Sequence, residues 1–327
     1  MAPFRGDTEE KGLRLRSDGD PTGISPVPAF VGCAVGTFFS GEVPVLGILL
    51  LSFSMRFLMW EGRPRRFVLP LLALALGAAA FAAVDIVGLT LALPALIVAL
   101  GVCAGMAQGR ATVLNVSLVV VAGALAGLVV DTGYATMYGT TAREVLSQVF
   151  ETYMRASLGS GIEEGLAVNE ATALFNVLWP FVYVVQSASY AAISGLGCVF
   201  LEARFRARRF PSVAAFDAPL WAVGVLAASA LAIAASFADT PASYPLSVVG
   251  ATALMSVRII FALQGFGVVA SRLSGTRTGC VLRGVIVFLL FWAETVFMAM
   301  SIVGLIDVWA NFRKLPREGS GAASADS

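Results

Sequence analysis

PLSVVGATALMSVRIIFALQGFGVVASRLSGTRTGCVLRGVIVFLLFWAETVFMAMSIVGLID, residues 245–307, consists of two long apolar segments joined by a short basic turn, Ser271 to Gly279. Each segment carries one full charge deep inside it: Arg258 in the first and Glu294 in the second. Paired positions in an antiparallel hairpin lie equally far from its turn, and the midpoint of these two, residue 276, falls inside that turn. At 1.5 Å per residue both charges sit roughly 16–20 Å from the helix ends at the turn, near the middle of a hydrocarbon core about 30 Å thick. An unpaired charge at that depth is expensive, so the matched depths predict an Arg258–Glu294 ion pair.

The rest of the chain has the same character. Hydrophobic residues make up 58% and charged residues 13%, with a mean hydropathy of +0.84, so apolar runs near 20 residues recur. This predicts an all-α, polytopic integral membrane bundle of about 8–9 spans that sits in a lipid bilayer. A β-barrel would need short alternating segments instead. A net charge of +1 gives nucleic acid no footing as a partner. The absence of histidine removes imidazole bases, Ser-His-Asp and Cys-His nucleophiles, and His-ligated metal. No P-loop or dinucleotide fingerprint is present. Cys33, Cys103, Cys198 and Cys280 are widely separated, without a C-x-x-C pair, and read as small apolar packers. The chain therefore reads as a non-enzyme without metal or cofactor.

Three regions follow from composition: a disordered cytoplasmic tail over 1–25, a transmembrane domain over 26–310, and a flexible C-terminal tail over 311–327. Two short helices, roughly 27–41 and 43–59, meet at Ser40-Gly41-Glu42-Val43-Pro44. Spans at about 67–84, 86–107, 111–130, 171–200 and 219–237 precede the final hairpin. Gly32, Gly36 and Ser40 recur at four-residue spacing, which suits close helix packing, either inside the chain or against a partner subunit. Residues 131–170 form the longest polar stretch between spans and read as an extracytoplasmic loop. There Thr141-Ala-Arg-Glu144 matches a capping box. Val145, Leu146, Val149, Phe150, Tyr153 and Met154 then give an apolar face up to Gly159-Ser160-Gly161. That helix either lies on the outer membrane surface or folds over the bundle as a lid. In the span 171–200, Asn176, Tyr183, Ser187 and Tyr190 share one face, which points inward as helix–helix glue or as a cavity lining.

Positive charges collect at 56–66, 110, 204–209 and 272–283, and acidic or neutral turns fall between them. The alternation places the N-terminus in the cytoplasm of a bacterial inner membrane protein. Nine spans would then put the basic C-terminus outside, against the same rule. A re-entrant last span, or a re-entrant short helix near the N-terminus, would remove that conflict.

Two stretches carry a family resemblance: Leu263-Gln264-Gly265-Phe266-Gly267-Val268-Val269, and the closing run Gly304-Leu305-Ile306-Asp307-Val308-Trp309-Ala310-Asn311-Phe312-Arg313-Lys314. They resemble the YybS-like bacterial membrane proteins, which likewise end on Gly-x-x-Asp followed by Phe-Arg-Lys. Gly304, Asp307, Phe312 and Arg313 are the motif positions, and Asn311 stands where an acid is expected. That family is distantly similar to the S components of energy-coupling-factor transporters and to the cell-shape protein MreD. The S-component likeness implies a solute-binding bundle whose first helix docks a membrane partner. The functional expectation is a small-solute-binding or transport-associated membrane subunit, working with a membrane partner or as a homo-oligomer. Arg258, Glu294, Gln264, Asn176, Tyr183, Ser187 and Tyr190 are its candidate ligand-binding residues. The alternative is a non-transporting scaffold or assembly protein in which the same residues only hold helices.

Overall fold

A computed structural model describes residues 21–63, 65–158, 162–206, 213–238, 240–274 and 279–314. Regular structure among them is helical throughout. The helices are α1 (Val27–Glu42), α2 (Pro44–Leu58), α3 (Val68–Val84), α4 (Ile86–Ala107), α5 (Val113–Met137), α6 (Ala142–Leu158), α7 (Ile162–Leu178), α8 (Phe181–Arg206), α9 (Leu220–Ala235), α10 (Ser243–Ser274), α11 (Cys280–Phe297) and α12 (Ala299–Ala310).

Four of these, α4, α5, α8 and α10, are long and apolar enough to cross a membrane, and the bent pair α11–α12 would make a fifth span. That is fewer than the 8–9 spans expected. The difference lies in α1, α2, α3 and α9, which run only 15–17 residues. At 1.5 Å per residue such rods reach about 23–26 Å, at or just below the short end of the range that crosses a bilayer. The expected span over 171–200 is interrupted at Trp179-Pro180, between α7 and α8. Proline has no N–H for the helix ladder and disfavours helical geometry in the residue before it.

The chain divides into two compact units, Met1–Gly133 with Gln186–Phe210, and Tyr134–Val185 with Pro211–Ser327. In the first, α1 and α2 form a tight hairpin. A Cβ on Gly36 would strike the backbone of Leu51, and one on Gly47 the backbone of Ser40. Gly36 and Ser40 are therefore buried inside the chain's own packing, and Gly32 faces Ser54. The core of this unit is Cys33, Ile48, Leu51, Met55, Leu58, Ala73, Ala99, Cys103 and Cys198. Arg56 pairs with Glu202 and stacks on Trp60, both arginine and glutamate being buried. Pro21 and Ile24, expected in the disordered tail, accept hydrogen bonds from Arg63 Nη2.

In the second unit the capping box forms as expected: Glu144 N donates to Thr141 Oγ1 (3.2 Å) and Thr141 N to Glu144 Oε2 (3.0 Å). Helix α6 folds back on α7, with Phe150 stacked on Phe175 at 4.4 Å. The stop expected at Gly159-Ser160-Gly161 lies outside the described residues. Helix α10 is the axis of this unit and packs against α7, α9 and α12.

Candidate functional site at a broken helix

The last apolar segment was expected to be one span, but it breaks. Met298 adopts a left-handed backbone (φ 56°, ψ 26°), and α11 and α12 meet there at 93°. A non-glycine residue pays about 1–2 kcal/mol for that conformation. The break also opens a helix C-terminus and a helix N-terminus, whose carbonyl and N–H groups need new partners.

Arg258 and Glu294 supply partners for both ends. Arg258 Nε donates to Glu294 Oε1 at 2.9 Å, so the predicted ion pair exists. Arg258 Nη2 also donates to the backbone oxygen of Glu294 (2.6 Å), a carbonyl in the last turn of α11 that accepts the Met298 N–H (3.0 Å) as well. The Glu294 carboxylate accepts the Ser301 N–H (2.9 Å) in the first turn of α12 and the Ser301 hydroxyl (2.6 Å). A cation thus sits at the negative end of one helix dipole and an anion at the positive end of the next. The Arg258 side chain keeps 23% of its surface exposed and Glu294 keeps 11%. Ser301 was not legible as a partner, since a serine seven residues past a glutamate is no helical neighbour until the helix breaks.

Contacts along α10 and α12 advance together. Ser301 Oγ reaches Arg258 O (3.3 Å), Gly304 lies on Phe261, Gln264 bonds Asp307, and Arg272 donates to Phe312 O (3.3 Å). Helix α12 therefore runs parallel to α10 and ends beside Arg272, near where α10 itself ends. Cβ atoms on Gly265 and Gly304 would collide with Met300 O and Phe261 O, so backbone meets backbone along this seam.

Gln264, Asp307 and Arg313 form a second buried cluster. Gln264 Nε2 donates to Asp307 Oδ2 (2.7 Å) and Asp217 Oδ1 (3.2 Å), and Gln264 Oε1 accepts Ala218 N–H (2.8 Å). Asp307 Oδ1 takes Phe312 N–H (2.8 Å), while its Oδ2 pairs with Arg313 Nη2 (2.9 Å). Arg313 Nη1 donates to Ala214 O (2.9 Å) and Phe216 O (2.6 Å). The Asp307 side chain is 0% exposed and that of Arg313 1%. Arg313, expected in a flexible tail, thus belongs to the core of the unit. Asn311 has φ 43° and closes α12 through its N–H to Asp307 O (3.0 Å). That position needs a residue tolerant of the left-handed region, which asparagine is, rather than a charge.

The stripe expected across 171–200 is divided by the break, which leaves Asn176 on α7 and Tyr183, Ser187 and Tyr190 at helical spacing on α8. Asn176 lies on α7, where its Oδ1 accepts from Arg143 Nε (3.2 Å) and its backbone oxygen from Tyr244 Oη (3.1 Å). Tyr183, past the break, stacks edge-on against Trp179. Ser187 and Tyr190 belong to the first unit: Ser187 faces Gly123, and the Tyr190 hydroxyl accepts from Gln186 Nε2 (2.9 Å). Among the described residues no group of three or more Cys, Asp or Glu is placed to hold a metal.

No curated protein and no solved structure matches this chain. A family model described as "Predicted membrane protein (DUF2232)" matches residues 34–308, most of the chain and all of the broken-helix site. The chain belongs to this family of predicted membrane proteins.

Proposed function

We propose that the protein is a non-enzymatic, transport-associated subunit of the bacterial cytoplasmic membrane, with a small-solute or ion site at the α11–α12 break. The observation that carries this reading is the break itself. Interrupted helices at membrane depth persist where their freed backbone groups are met by protein or by a cavity, and in secondary transporters such half-helix ends receive charged substrates and ions. Here the break holds an arginine and a glutamate that already meet one carbonyl and one N–H, and both keep some exposure. Because α12 runs parallel to α10 and ends near where α10 ends, α11–α12 is read as a re-entrant segment bent at a right angle. With the N-terminus cytoplasmic, Arg272, Arg313 and Lys314 then share the cytoplasmic side, which removes the charge conflict of a ninth full span. The S-component comparison, with a docking partner, belongs to this reading.

The pair is not symmetric, so exchanging its charges would set a guanidinium against the N–H end of α12. Glu294→Gln is the cleaner test, because it removes the charge at nearly constant shape while the amide oxygen still accepts from one of the two Ser301 donors. The purified variant, in which Arg258 loses its counter-charge, is expected to melt below wild type, so each protein's response to solutes is read against its own melting temperature. The thermal stabilisation that wild type gains from one member of a panel of cations, amino acids and vitamin-sized solutes should disappear. Equal stabilisation of variant and wild type, or none of wild type across the panel, counts against the site.

A scaffold reading draws on the second cluster. Gln264, Asp307 and Arg313 bond one another and nearby backbone, as a purely architectural device would. Under that reading Glu294→Gln lowers the melting temperature, and no solute of the panel stabilises either protein.

A further inference from the structure

We propose that the turn between α2 and α3 is a binding site for the phosphate headgroup of an anionic phospholipid. A recess of about 480 Å³ opens there, lined by Gly62, Arg63, Arg65, Arg66, Phe67 and Val68. Three of its six lining residues are arginines and none is acidic. Charge pairing at this end of the unit leaves the recess positive. Glu202 is taken by Arg56, and Glu61 by Arg206 at 3.3 Å, whereas Arg65 and Arg66 make no ion pair among the described residues.

Two of the three arginines lie against aromatic rings. Arg63 lies over the Phe57 ring at 4.4 Å and ties the turn to Ile24 O at 3.1 Å. Arg66 lies over the Phe67 ring at 4.9 Å. Arg65 is held at φ 56°, a left-handed conformation that costs a non-glycine residue energy and that tends to persist at ligand sites. Guanidinium groups match phosphate oxygens in geometry as well as charge. What separates a lipid from a free anion is the apolar wall. Val68 starts an exposed stripe that continues through Leu71, Leu72 and Leu76 along α3. A headgroup in the recess would lay its acyl chains along that stripe.

The test uses the full-length protein in detergent, with its melting temperature followed as phosphatidylglycerol, phosphatidylcholine or inorganic phosphate is added. Phosphatidylglycerol is expected to stabilise, and phosphatidylcholine is not. Arg65→Gln and Arg66→Gln should each weaken the apparent affinity about fivefold, since an arginine near an anionic surface contributes about 1 kcal/mol. Arg110→Gln, which removes one charge at the α4–α5 turn, should leave affinity within twofold. An equal loss with Arg110→Gln would reduce the effect to general charge attraction and overturn the site. Unchanged affinity in the Arg65→Gln, Arg66→Gln double variant would overturn it as well. If inorganic phosphate alone reproduces the whole shift, the recess takes a free anion and the lipid assignment fails.

Discussion

Asp307 shows how much one residue does in this fold. It accepts from Gln264, from the Phe312 backbone and from Arg313, and its side chain is fully buried. Asp307→Ala would leave the buried Arg313 guanidinium with only the more distant Asp217, at 3.9 Å, as a counter-charge, and losing the close partner of a buried pair typically costs about 3–5 kcal/mol. Purified variant protein should therefore unfold at markedly lower temperature or denaturant concentration, and wild-type stability would show that the cluster contributes little. The Arg258–Glu294 pair could be found in the sequence for the reason that makes it costly: full charges are rare at that depth, so two at matched depth stand out. Ser301 could not be found that way, because small polar residues are common, and Asp217 could not because it lies before α9, outside any span, where a charge is unremarkable. The fourfold spacing of Gly32, Gly36 and Ser40 announced close packing without naming the partner, and in the structure Gly36 and Ser40 face the chain's own α2.

Helix starts followed the sequence closely where breakers or caps mark them, as at Pro44, Asp85 and Thr141. The break at Met298 had no such mark, since neither glycine nor proline stands in Thr-Val-Phe-Met-Ala-Met. What stops α11 there is tertiary: the Arg258 and Glu294 contacts and the tight α10–α12 seam favour two short helices over one long one. If the break is imposed from outside, the backbone at Met298 carries strain that glycine would not. Met298→Gly is accordingly expected to stabilise the protein by about 1 kcal/mol, seen as a raised unfolding midpoint. In a helix that were continuous at that point the same substitution would destabilise by a similar amount. The sign of the shift thus reports whether the bend is present.

At the scale of the whole molecule, composition alone was enough for an all-helical membrane protein, and the family match agrees with it. Span number was less legible, because apolar helices of 15–17 residues sit at the lower limit of length for a crossing. The re-entrant reading of α11–α12 turns on where α12 ends, and the contacts put that end beside Arg272. The reading can be checked by labelling single cysteines from either side of sealed vesicles. Cys33, Cys103 and Cys198 are buried, so with Cys280→Ser as background, Gly279→Cys and Lys314→Cys would report the two ends of the segment. A membrane-impermeant maleimide should modify both from the same side, the side that also reaches a cysteine placed at Arg65. Labelling from opposite sides would make α11–α12 a bent but complete crossing. The basic C-terminal residues would then lie on the face that the other arginine clusters avoid, a placement the positive-inside rule disfavours.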